Sequence, residues 1–149
     1  MTTPTHAALG LLIGTSTGHP WVGLITAIAV DVDHLAIYAR HGVLKSPALF
    51  WKTVTSNEDP YSGQRGWLHS LFVAIPLSTI LWIALPVWGS TIALSYLVGH
   101  IALDVLDSAD YWPLYPSRKI NIRGPVEFFS RWELAIFIVL LLLNLRLWL

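Results

Sequence analysis

The stretch Trp21-Val22-Gly23-Leu24-Ile25-Thr26-Ala27-Ile28-Ala29-Val30 is apolar or small throughout except for Thr26. It runs directly into Asp31-Val32-Asp33-His34. Two carboxylates and an imidazole therefore stand within four residues at the end of a greasy helix. An ionisable side chain inside a bilayer costs roughly 2.5–3.5 kcal/mol on insertion scales, so intramembrane charges mark functional sites unless they are paired away. What the rest of the chain offers these three groups as partners decides how it is read.

Composition sets the frame. The chain has 149 residues, a length for one domain spanning residues 1–149. Charged residues make up 12%, about half the share usual in soluble proteins, while 54% are hydrophobic and the mean hydropathy is +0.59. Eight tryptophans, several beside charged or loop residues, suit the aromatic belts of a membrane interface. These features predict an integral membrane protein. A net charge of zero without a dense Lys/Arg run argues against nucleic acid as a partner. With no cysteine, any metal must be held by His, Asp or Glu. Residues 1–17 lack the basic start and small-residue cleavage site of a signal peptide.

Working outward from the opening stretch, the pattern predicts an all-α membrane bundle of about five helices, the first short. Helix A covers Thr5 to Thr17 behind Pro4, and its Gly10, Gly14 and Gly18 form a small-residue stripe suited to close packing on helix B or on another protomer. Gly18-His19-Pro20 is a turn, and helix B runs from Trp21 to Ala39. A polar connection, residues 40–66, carries Arg40, Lys45, Lys52 and Arg65 against Glu58 and Asp59. Pro60, Gly63 and Gly66 interrupt it, with room for a short helix from Pro47 to Thr55. Helix C spans Trp67 to Leu85 and is kinked at Pro76. After a short uncharged link, helix D runs from Thr91 to Ser108. A second polar connection, 109–130, leads to helix E, which starts near Arg131 and reaches the C-terminus. Eight of the nine basic residues lie in the two long connections if Arg131 is counted with the second, which places both on the cytoplasmic side of a multi-pass cell-membrane protein.

That topology brings ionisable residues from four helices to one depth. His6 starts helix A; Asp31, Asp33 and His34 end helix B; His69 falls in the first turn of helix C; His100 and Asp104 occupy the same half of helix D. At about 100° per residue, His100 and Asp104 stand about 40° apart and Asp107 about 20° from His100, so all three share a face. Asp31 and His34 share one as well, about 60° apart, whereas Asp33 is about 200° from Asp31 and reaches the same ion only if helix B loosens. Failing that, Asp33 backs another ligand, ligates a second ion or serves as general base. His and carboxylate donors without thiolate suit Zn²⁺, Mn²⁺ or Fe²⁺, and the seven candidates His6, Asp31, Asp33, His34, His69, His100 and Asp104 are enough for one or two ions. Such an ion activates water for hydrolysis near neutral pH. Arg65, beside this cluster in sequence, has the fork geometry that holds a phosphate oxygen.

The ordered set Thr5-His6, Asp31-Val32-Asp33-His34, Arg65-Gly66-Trp67-Leu68-His69-Ser70, Gly99-His100 with Asp104, and Pro113-Leu114-Tyr115-Pro116 resembles the membrane-bound metal-dependent hydrolase family of the YdjM type. The resemblance covers about residues 5 to 116. It implies that His6, Asp31, His34, His69, His100 and Asp104 are metal residues, with Asp33 in the same motif. A distant likeness of that family to zinc-dependent phospholipase C and single-strand nuclease folds implies cleavage of a phosphoester. Val30 stands where proline is frequent in the family and Asp107 where threonine is. The expected activity is hydrolysis of a small-molecule or lipid phosphoester, with membrane lipid as partner. Two other classes compete with it: a metal or proton transporter, and a non-catalytic membrane protein with a structural metal. The apolar outer halves of the helices weigh against the transporter, which needs ionisable groups continuing across.

Overall fold

The computed structural model describes residues 1–56, Tyr61 and 65–149. The breaks expected at Pro60 and Gly63, and the acids Glu58 and Asp59, lie outside these residues. Eight α-helices carry the described chain: α1 (Thr3–Ser16), α2 (Pro20–Ala29), α3 (Val32–Arg40), α4 (Pro47–Val54), α5 (Leu71–Ala84), α6 (Gly89–Tyr96), α7 (Leu103–Leu106) and α8 (Arg131–Trp148). Two 3₁₀ turns, Val43–Lys45 and Trp67–His69, precede α4 and α5, and a π turn, Leu97–Ala102, joins α6 to α7. Among the described residues the only strand-like pairings are isolated bridges, Asp107 with Val126 and Tyr111 with Ile122. The all-helical class is as the sequence implies.

Two stretches, Pro20–Arg40 and Gly89–Leu106, are long and apolar enough to cross a membrane by length and composition. α1 and α5 have 14 residues each, a rise of about 21 Å against a hydrocarbon core of ~30 Å. α8 has 18 residues but includes Arg131, Glu133 and Arg146.

Three local departures from the expected helices bear on the site. Helix B is interrupted: Asp31 N bonds Ile28 O and His34 N bonds Asp31 O, both i to i−3, so the chain tightens between α2 and α3. No proline or glycine marks the place. Helix C begins later than Trp67, because Ser70 is extended and caps α5 by accepting from Phe72 N at 3.3 Å. His69 thus lies in the 3₁₀ turn before the helix rather than in its first turn. Helix D is not one α-helix, since Leu97–Ala102 is π-wound and α7 stops at Leu106, leaving Asp107 extended beyond it.

Packing inverts the habit of a soluble protein. Large apolar side chains such as Trp21, Ile75, Ile83 and Leu142 face outward, while His6, His69, His100, Asp104, Asp107 and Glu133 are buried. A small apolar cluster of Val30, Ala74, Tyr96, Ile101 and Tyr111 seals one side of this polar interior. α1 and α2 form a hairpin whose backbones touch. A Cβ on Gly23 meets Gly10 O at 2.2 Å and Gly14 Cα at 2.7 Å, and one on Gly10 meets Ala27 Cβ at 2.4 Å. Two members of the expected glycine stripe therefore pack on the next helix of the same chain. Gly18 does not; it forms the turn with φ 81°.

The contact yields a ranking. Gly23→Ala forces two backbones apart and lowers stability by upwards of about 1–3 kcal/mol. Gly18→Ala meets no neighbour within 4 Å and loses only the roughly 1–2 kcal/mol of a left-handed alanine. Unfolding temperatures in detergent check it: the expected order is wild type, Gly18→Ala, then Gly23→Ala as the least stable.

Candidate metal centre

Three imidazoles meet at the inner end of the α1–α2 hairpin, and each is held by the same device. His6, in the first turns of α1, directs Nδ1 to Gly99 O at 3.3 Å. His100, in the π turn, directs Nδ1 to Ala27 O at 2.6 Å. His69 directs Nδ1 to Asp33 Oδ2 at 3.2 Å. A carbonyl or carboxylate oxygen only accepts, so each Nδ1 carries a proton, and in a neutral ring Nε2 then presents the lone pair.

The Nε2 atoms converge. His100 Nε2 lies 2.9 Å from His69 Nε2, and both face Asp104 Oδ2, at 3.6 and 3.4 Å. Asp31 Oδ1 lies 3.6 Å from His100 Nε2 and 4.0 Å from His69 Nε2, and His6 Nε2 is 3.3 Å from Asp104 Oδ1. Two groups have the span of a metal shell: His6, His100 and Asp104, and Asp31, His69 and His100. His100 belongs to both, yet its single Nε2 lone pair serves one ion. The two Nε2 atoms stand at hydrogen-bond distance, 2.9 Å, beside two carboxylates, an arrangement that calls for positive charge among them as a shared proton or a cation. The donor set therefore fits a divalent cation.

The remaining expected residues surround this core. Asp33 is on the far side of His69: its Oδ2 also accepts from Leu68 N at 2.7 Å, and it orients the imidazole from behind. His34 stacks on His69 with ring centroids 5.2 Å apart, its Nδ1 3.7 Å from Asp31 Oδ1, and its buried Nε2 has no hydrogen-bond partner among the described residues. The 67–71 turn that carries His69 is clamped. Tyr111 donates to His69 O at 2.9 Å, Tyr96 donates to Leu68 O, Ser70 Oγ donates to Tyr115 O at 2.8 Å and Leu71 N to Pro113 O at 2.8 Å. The 113–116 segment thus fixes His69 from outside. Burial and the nearby Asp104 push the Tyr111 phenol up to about 12, which keeps it a donor.

Arg65 has a different place from a substrate clamp. Its Nη2 bonds Asp104 Oδ1 at 3.0 Å and Asp107 Oδ2 at 2.6 Å, while Nη1 reaches the carbonyls of Ala109 and Asp110 at 3.2 and 3.3 Å. Both terminal nitrogens are committed to protein acceptors. The Met1 amino group also lies 3.1 Å from Asp104 Oδ1 and contacts Asp107 Oδ2. Burial alone raises the Asp107 carboxyl, but the amino group and Arg65 outweigh it and hold it below the usual range. Burial likewise opposes the Arg65 charge, and Asp104 and Asp107 restore it, leaving the guanidinium above its ordinary value. Asp107 is thus part of the centre, although no expected ligand set included it. Helical phase placed it beside His100 for a reason that fails, since α7 ends first; its pairing with Arg65 comes from a contact 42 residues away.

Glu133 is a further buried acid, with a structural place. The capping pattern Ser130-x-x-Glu133 opens α8, with Ser130 Oγ accepting from Glu133 N at 3.3 Å and Glu133 Oε2 accepting from Phe129 N at 2.7 Å. Its Oε1 accepts from Thr2 N at 2.5 Å and Thr5 Oγ1 at 3.2 Å, tying α8 to the turn that precedes His6.

Removing one member of the Arg65 network strands the others in a dry interior. Arg65→Met is expected to cost about 3–5 kcal/mol, the range for an uncompensated buried charge. Adding Asp107→Asn restores part of it. Denaturation in mixed micelles of the single and double variants measures both, and equal stability of wild type and Arg65→Met contradicts the pairing.

No curated protein and no solved structure matches the chain. A family model described as YdjM inner membrane protein matches residues 1–148, close to the full length. Its description agrees with the two apolar stretches long enough to cross a membrane and with the outward apolar faces of the helices. By that match, the chain belongs to the YdjM inner membrane protein family.

Proposed function

We propose that this protein is a membrane-bound, metal-dependent hydrolase that cleaves a phosphoester at the cytoplasmic face of a multi-pass bundle. The observation that carries the reading is the convergence of three Nε2 atoms, each with its Nδ1 proton bonded away, on Asp31 and Asp104. His6, His69, His100, Asp31 and Asp104 would hold the ion, with His34 Nε2 available beside them for substrate or a second ion. Zn²⁺ suits this donor set, as do Mn²⁺ and Fe²⁺. A divalent ion supplies Lewis acidity that makes water a nucleophile near neutral pH.

The chain's own residues do the positioning. Asp33 keeps the His69 proton on Nδ1 and so aims Nε2 inward. Arg65 and Asp107 hold the Asp104 carboxylate in place and balance its charge. Asp31 sits at the break between α2 and α3, on the open side of the cluster, where a substrate would approach. A small-molecule or lipid phosphoester is the substrate class, and membrane lipid surrounds the site.

Metal analysis of the purified protein tests the reading. One or two transition-metal ions per chain are expected. His100→Ala and Asp104→Asn should remove them along with turnover of bis-(p-nitrophenyl) phosphate or a phospholipid. Asp33→Asn is expected to weaken metal affinity by about 10–100-fold without abolishing it, as loss of a carboxylate behind a ligating histidine does. A chain without stoichiometric metal, indifferent to these changes, ends the proposal.

A further inference from the structure

A cavity of about 380 Å³ opens beside the candidate ligands Asp31 and His34. Its deep end is polar and includes Asp31 and His34, and Asp31 is already 3.6 Å from His100 Nε2. The walls above are largely apolar and aromatic, with the hydroxyls of Thr53, Thr55 and Ser56 among them. Leu35 and Tyr38 of α3 face Phe50, Trp51 and Val54 of α4, and Phe128 and Phe129 close the third side. Ring contacts run along one wall, from His34 to Tyr38 with centroids 6.2 Å apart and from Tyr38 edge-on to Phe50 at 6.0 Å. The rim is apolar as well, since Leu35, Trp51 and Phe129 are 46%, 69% and 63% exposed. Leu35 belongs to the Pro20–Arg40 stretch long enough to cross a membrane, and Val32, one turn before it, is also exposed. The groove therefore opens beside an exposed apolar face, and the charged and imidazole part of its lining, Asp31 and His34 with Arg65, Asp107 and Asp110, adjoins the candidate ligands.

We infer that this groove binds the single hydrocarbon chain of a membrane amphiphile and delivers its phosphate head to Asp31 and His34. The inference deepens the hydrolase reading and rests on it for the fate of the head group. The gradient from apolar rim to ionisable floor matches an amphiphile in polarity and direction, whereas a water-soluble phosphoester leaves the aromatic walls without a partner. At the ~30 Å³ that a water molecule takes in the liquid, the cavity holds about a dozen groups of methylene size, enough for much of one chain and too little for two. Leu35, Phe50 and Val54 are then the residues that select for chain length.

Photolabelling locates the chain whether or not turnover occurs. The probe is hexadecyl phosphate with a diazirine at the chain end, added to zinc-supplemented protein in phosphatidylcholine nanodiscs. Expected is labelling concentrated on α3, α4 and 128–129, reduced at least tenfold by excess dodecyl phosphate and unchanged by inorganic phosphate. Leu35→Asp places a charge in the wall and should cut groove labelling about tenfold while metal content stays that of wild type. Label spread over the lipid-facing sides of α5 and α8, uncompeted by dodecyl phosphate, overturns the inference even if soluble phosphoesters are hydrolysed. Groove labelling in a protein without turnover keeps the chain site and removes the hydrolase.

Discussion

Everything in the interior of this protein is arranged around two nitrogen atoms, His69 Nε2 and His100 Nε2, held 2.9 Å apart. Two unshared lone pairs at that distance would separate unless a proton or a cation joined them. They are kept together by groups that have nothing to do with each other in sequence: Asp33 behind one ring, the Ala27 carbonyl behind the other, and the clamp of Tyr96, Tyr111 and Ser70 around the turn that bears His69. Asp31 on the open side and the buried Asp104 then add negative charge. The fold stores a demand for positive charge at one point, and Arg65 meets only the part that falls on Asp104 and Asp107.

Such an arrangement is affordable because the solvent outside is not water. In an aqueous protein the apolar side chains drive folding by leaving solvent; here Trp21, Ile83 and Leu142 are on the outside. Helices surrounded by lipid gain nothing by hiding leucine, so association rests on close backbone contact and polar bonds. Both are present. α1 and α2 touch through Gly10 and Gly23, Thr17 and Thr91 share a hydrogen bond at 2.7 Å between α1 and α6, and Asn144 of α8 donates to Ala8 O at 2.9 Å. The polar interior is at once the adhesive of the bundle and its chemistry.

How much of this was readable beforehand follows from which features have a local cause. The site residues stood out because an ionisable group in an apolar helix is expensive wherever it occurs, and their one-sided placement needed no coordinates. The Gly10 and Gly14 contact was readable for the same reason, since small residues four apart have few other uses. The Ser70 cap and the Ser130-x-x-Glu133 pattern were signals in plain view, and the first shifts the start of α5 by four residues. The break before α3 had no such signal. Val30 and Asp31 are compatible with helix, and the chain turns there because Asp33 is drawn to Leu68 N and His69. Arg65 likewise looked free, because its partners are 39 and 42 residues away. Where tertiary contact decides, residue pattern is silent.

The π turn of Leu97–Ala102 has a consequence for how the bundle tolerates change. A π turn adds about one residue to a helical turn, so the side chains before it and after it belong to two different rotational phases. α6 presents Thr91 and Ser95, about 40° apart, to its neighbours in one phase, while His100 and Asp104 face the centre in another. The stretch Gly89–Leu106 therefore behaves as two helices spliced end to end, each free to satisfy its own surroundings. Packing of α6 is thereby uncoupled from the geometry of Asp104, and the seam between them, which carries His100 itself, constrains the length of the segment as well as the identity of that residue.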